Sequence, residues 1–173
     1  MLRLNRTTEY GLMALRHMSR KKTAEPGAVT SAREVADFYG LPFEITAKTL
    51  LRLKDAGLIE SAQGARGGYT LLRDLTSISF VQFLEIMEGP QSLVACTSLA
   101  EQVSEPPCHC DYEPKCEIKS VLNQLNSQVV SFLSQIRLSD LTEVGLEKPL
   151  PVAFGKFGPL SADSHVAVQQ VKL

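Results

Sequence analysis

Apolar residues recur at helical spacing from the start of the chain, and this rhythm divides the first ninety residues into short helices. Over 7–21 (TTEYGLMALRHMSRK), Tyr10, Met13/Ala14 and His17/Met18 step by three and four, which predicts a helix with that side turned inward. Residues 23–30 are turn chemistry. Ser31 with Glu34 three positions later forms a capping box, which predicts a second short helix. Its inward residues are Val35, Ala36 and Phe38, and it stops at Gly40. A tight Leu41-Pro42 turn starts a third helix over 43–56, with Ile45, Leu50, Leu53 and Ala56 on the apolar side and Gly57 ending it.

After Gly57 the period changes. Residues 58–61 and 69–72 can pair as strands around the glycine-rich stretch 63–68, which carries Arg66 near its tip. Two short helices joined by a brief turn and followed by such a hairpin make a winged helix-turn-helix. Ser79 and Gln82 form another capping box, opening a helix over 79–88 with Phe80, Phe83, Leu84 and Met87 available for packing. Between 116 and 138, Leu122, Leu125, Val129, Phe132/Leu133 and Ile136 again step by three and four. A helix of ~22 residues is about 33 Å long. Standing beyond the domain, its stripe needs a partner, and a second copy of the chain is the obvious one.

These elements predict a mainly α protein in four parts: a winged helix-turn-helix DNA-binding domain over 1–90, a cysteine-containing loop over 91–115, a dimerisation helix over 116–140 and a tail over 141–173. The irregular spacing of Pro149, Pro151, Gly155, Gly158 and Pro159 predicts an extended or disordered tail.

Composition changes this picture little. Hydrophobic content of 44% and charged content of 21% are ordinary for a globular protein. No run approaches the ~18 apolar residues of a membrane span, and the N-terminus lacks the apolar core of a secretion signal. The cytoplasm is the expected location. Charge is more telling: residues 1–75 hold 12 Lys/Arg against 8 Asp/Glu, whereas 76–173 hold 6 against 11. A basic N-terminal half suits a double-stranded DNA partner, because cation–phosphate contacts dominate such affinities. On the third helix, Glu44, Thr46, Lys48 and Thr49 lie near the end expected to enter a major groove. There Glu44 suits a cytosine amino group, Lys48 guanine or phosphate, and the threonines phosphate or a thymine methyl. Arg52 and Lys54 suit phosphate contacts, and Arg66 on the wing suits a narrow minor groove.

All four cysteines, Cys96, Cys108, Cys110 and Cys116, fall between the DNA reader and the long helix. Thiolates bind soft metals and iron–sulfur clusters. In a reducing compartment such a group more often holds metal or senses redox state than forms structural disulfides. His109, between two cysteines, is a further candidate ligand, whereas His17 reads as a helix-surface or core residue. Zinc held by the same thiolates, or a thiol switch, are the alternatives. Neither a nucleotide-binding loop nor a nucleophile constellation is present, so an enzyme is not expected.

The opening R-L-x-R-T-T-E-Y-G-L-x-A-L, the helix-turn-helix, the wing G-x-R-G-G-Y and the spacing from Cys110 to Cys116 resemble one family of bacterial iron–sulfur winged-helix repressors, that of IscR, NsrR and RirA. The resemblance covers roughly residues 2–138 and implies a homodimeric repressor. It implies three cysteine ligands, Cys96, Cys110 and Cys116, to a 4Fe–4S or 2Fe–2S cluster, with Cys108 as an alternative to Cys110. Thirteen residues, 97–109, separate the first two ligands, where the family commonly has five. Some relatives use a histidine three residues after the last cysteine, but Lys119 stands there, a poor ligand because it is protonated near neutral pH. Others use a carboxylate from the first helix of the opposite subunit, and Glu9 matches that position. The resemblance thus implies Glu9, in trans, as the fourth ligand.

Overall fold

The computed structural model describes residues 4–63, 67–92 and 116–142. Helix α1 (Arg6–Ala24) is capped by Asn5, whose side chain accepts from the Thr8 N–H. It buries Thr8, Gly11, Ala14, Leu15 and Met18, so its inward face is rotated slightly from the expected one and Met13 is exposed. Helix α2 (Ala32–Tyr39) starts with the expected box: Ser31 Oγ accepts from the Glu34 N–H, and the Glu34 carboxylate accepts from the Ser31 N–H. It ends at Gly40, whose φ of 66° is the left-handed region where glycine avoids the Cβ penalty. Val35 and Ala36 are buried as expected, but Phe38 is exposed, its ring set edge-on against His17 and Tyr39.

Helix α3 (Phe43–Asp55) follows after three residues, 40–42. Strands β1 (Ile59–Ala62) and β2 (Gly68–Leu71) pair antiparallel, with Ile59 opposite Leu71 and Ala62 opposite Gly68. Thr30 joins this hairpin by exchanging both backbone hydrogen bonds with Tyr69 (2.9 and 2.8 Å). Gly68 is required at that crossing, because a Cβ there would sit 2.7 Å from the Thr30 carbonyl oxygen. A short 3₁₀ turn (Leu75–Ser77) leads into α4 (Phe80–Glu88), which the Ser79/Gln82 box opens as expected. The result is a mainly helical winged helix-turn-helix with a small two-stranded antiparallel sheet.

Residues 116–142 behave differently from the expectation of one long free-standing helix. Helix α5 (Lys119–Gln135) stops where Ile136 turns extended. The strand-like step 136–138 is stitched to 78–80: the Phe80 N–H donates to the Ile136 oxygen (2.8 Å) and the Leu138 N–H to the Ile78 oxygen (2.9 Å). A further short helix, α6 (Leu138–Thr142), then packs against α1 and the 3₁₀ turn. Leu138 is fully buried in the same core as Leu15, Leu50, Leu53, Leu58 and Phe83, with Leu133 and Leu141 against it. Residues 136–142 are therefore part of the winged-helix core.

Candidate nucleic-acid interface

The helix-turn-helix is held by local chemistry on both sides of its turn. The Leu41 N–H donates to the Ala36 oxygen (2.8 Å), closing α2 around Gly40. Pro42 precedes α3 and brings no side-chain cap, so the first-turn N–H groups of α3 lack one. From α2, the Arg33 guanidinium lies 4.3 Å above the Phe43 ring, a cation–π contact across the turn. Behind, Glu34 ties α2 to α1. Lys21 Nζ donates to both its oxygens (2.6 and 2.8 Å) and to the Val29 carbonyl (2.8 Å), and His17 Nε2 lies 3.1 Å from the same carboxylate. Burial works against the charged carboxylate, but the hydrogen bonds from Lys21 and His17, the Lys21 charge and the Ser31 N–H outweigh it and hold Glu34 below its ordinary pKa.

Helix α3 has two distinct faces. Thr46, Thr49, Leu50 and Leu53 are buried, a strict three-and-four spacing. Both threonines were expected at the DNA surface, and the structure corrects this. Thr46 Oγ1 donates to the Pro42 oxygen (3.0 Å) and Thr49 Oγ1 to the Ile45 oxygen (2.8 Å), so each hydroxyl is satisfied inside the helix and its methyl faces the core. Conversely Ile45, expected inward, is 41% exposed. Glu44, Lys48 and Arg52 form a charged row at four-residue spacing on the solvent face, and Lys54 beside them lies 3.7 Å from Asp55. Arg66 lies outside the described residues. Sequence reasoning missed Arg33 and Ile45 on this surface. No local pattern marks Arg33, whereas Ile45 follows once 46, 49, 50 and 53 are taken as the inward set.

Of the cysteine-centred residues, Glu9 and Cys116 are described; Cys96, Cys108, His109 and Cys110 lie outside. Cys116 is a free, half-buried thiol three residues before α5. Glu9 occupies the first turn of α1, half-exposed, 3.2 Å from the exposed Arg6. That turn is fixed to the end of α4, because Glu88 Oε1 accepts from the Asn5 N–H (3.0 Å) and from the hydroxyl of the fully buried Thr8 (2.5 Å). Among the described residues no group of three or more His, Cys, Asp or Glu is gathered to hold a metal, and no helix is long and apolar enough to cross a membrane.

A helix-turn-helix with a wing, presenting a charged row on its second helix, defines a winged-helix DNA-binding regulator. The sequence profile of the Rrf2 family, described as iron-dependent transcriptional regulators, matches residues 4–144, and the chain belongs to that family. Among solved structures, it is similar to CymR (YrzC), the global cysteine regulator of B. subtilis, at 25% identity over 83% of this chain and 98% of the other, with a TM-score of 0.62. The fold is also that of T. potens IscR, at 21% identity over 82% and 87% of the two chains and a TM-score of 0.58.

Proposed function

We propose that this regulator is a homodimeric repressor of the cytoplasm whose grip on operator DNA is governed by an iron–sulfur cluster sensing iron, redox state or nitric oxide. Its ligands would be Cys96, Cys110 (or Cys108) and Cys116, with Glu9 of the partner subunit. Soft thiolates and one carboxylate form a donor set suited to iron, and the two members described, a free thiol and an accessible carboxylate, fit it. When bound, the cluster would supply a centre sensitive to oxidants, nitric oxide and iron loss.

The observation that carries this reading is the Asn5–Thr8–Glu88 clasp. It fastens the turn bearing Glu9 to Glu88 at the end of α4, five residues in sequence before position 93, where the stretch holding Cys96, Cys108 and Cys110 begins. A cluster bound by those cysteines would thereby be linked to α1, and from α1 through Lys21 and Glu34 to α2 and α3. In a dimer this sets the separation of the two α3 helices, which must be about 34 Å to meet successive turns of one DNA groove. Lys48 and Arg52 contact the DNA from α3, with Glu44 at the base edges and Arg66 on the wing.

The test is anaerobic purification followed by an absorption spectrum and iron, acid-labile sulfide and zinc analysis. Visible charge-transfer bands with matching iron and sulfide are expected, and Glu9→Ala is expected to alter the spectrum and hasten cluster loss. A colourless protein with stoichiometric zinc would replace this reading with a structural zinc site. An unchanged spectrum and cluster lifetime in Glu9→Ala would remove Glu9 from the ligand set.

A further inference from the structure

Ile45 occupies the first turn of α3 yet takes no part in the core, whose α3 contribution is made by 46, 49, 50 and 53. Its side chain is 41% exposed and borders the charged row, three residues from Lys48 and one from Glu44. A surface helix position gains nothing from isoleucine by itself, since a β-branched residue is a poorer helix former than lysine, glutamate or alanine. The first turn of the second helix is the part of a helix-turn-helix that reaches base edges. In the major groove the single apolar feature of those edges is the C5-methyl of thymine. Lys48 and Arg52, one and two turns further along the same side, supply the phosphate attraction that would hold this turn in the groove.

We propose that Ile45 is a specificity-determining residue that packs on one thymine methyl in each half-site of the operator. The proposal rests on the reading of α3 as the DNA-entering helix. It makes the site selective for T over C and U at one position, by the burial of a methyl. Burying one such group is worth about fourfold in affinity.

The experiment selects duplexes from a random-sequence library with the full chain, anaerobically purified and metal-stripped in parallel. Binding is then measured to the enriched duplex with each thymine replaced singly by deoxyuridine, which lacks the methyl. At one thymine per half-site the replacement is expected to weaken wild type about fourfold and to leave Ile45→Ala unaffected, the non-additivity of a direct contact. If Ile45→Ala kept full sensitivity to every replacement, the proposal would be overturned while DNA binding by α3 stood. If neither preparation enriched any sequence, the DNA-reading assignment itself would fail and the proposal with it. A thermal melt accompanies the variant; a midpoint lowered by about 5 °C or more would show that Ile45 packs internally and would equally overturn the proposal.

Discussion

Helices α3 and α5 are both amphipathic, and they spend their apolar residues in opposite ways. Helix α3 places Thr46, Thr49, Leu50 and Leu53 wholly inside and turns a charged row outward. Helix α5 buries Asn126 and packs Leu133, with the following Ile136, against the core, but leaves apolar side chains uncovered: Ile118 before it is 62% exposed, Val121 62% and Leu125 47%. One helix fills the core with most of one side and, although Phe43, Ile45 and Leu51 stay exposed, carries an outer charged row suited to a polyanion. The other has an apolar stripe at 118, 121 and 125 that the described residues leave exposed, and a second copy of the same stripe, packed about a two-fold axis, would cover it.

The largest effect is expected inside α3. Leu50→Ala is expected to cost about 2–5 kcal/mol by leaving a cavity in the shared core, read as a lowered denaturation midpoint, whereas Leu125→Ala should hardly shift the midpoint of the dissociated protein. Next, Leu125→Glu is expected to split the proposed dimer into folded monomers. Sedimentation would show the smaller species and circular dichroism an unchanged helix content; a dimer that persisted would place the interface elsewhere. The smallest effect belongs to the charged row. Lys48→Ala is expected to reduce the salt slope of operator binding by about one and to lower affinity, with cluster content unchanged. A slope equal to wild type would take Lys48 off the DNA.

Much of this was legible because it is local. The boxes at Ser31/Glu34 and Ser79/Gln82, the stop at Gly40 and the glycine-rich hairpin each follow from a few adjacent residues, and the observed ends fall within a residue or two of the predicted ones. The two faces of α3 were harder, because threonine counts as polar in a pattern although its hydroxyl can bond back to the helix and its methyl can go inside. The break at Ile136 was hidden more deeply. Neither proline nor glycine marks it, and its cause is tertiary: the bonds of Ile136 and Leu138 to 78–80 outweigh continued helix. The one local trace is Asp140, whose carboxylate reaches back to the Arg137 N–H (2.9 Å) as an acid does at a helix start. Of the ligand set, the sequence shows the cysteines together, but their meeting with Glu9 would depend on a second subunit, which no periodicity in one chain reveals.

The return of 136–142 into the core also bears on how the protein is made. A nascent chain that has emerged only as far as residue 90 holds all the helix-turn-helix and wing, yet lacks Leu138, a fully buried member of the core cluster that includes Leu15 and Phe83. At a synthesis rate of roughly 5–20 residues per second, the remaining stretch takes seconds to appear. During that interval α1 and α4 carry unsealed apolar surface next to the ribosome. The DNA-reading unit is therefore completed only after residues 136–142 have been made, by the same piece of chain that anchors α5.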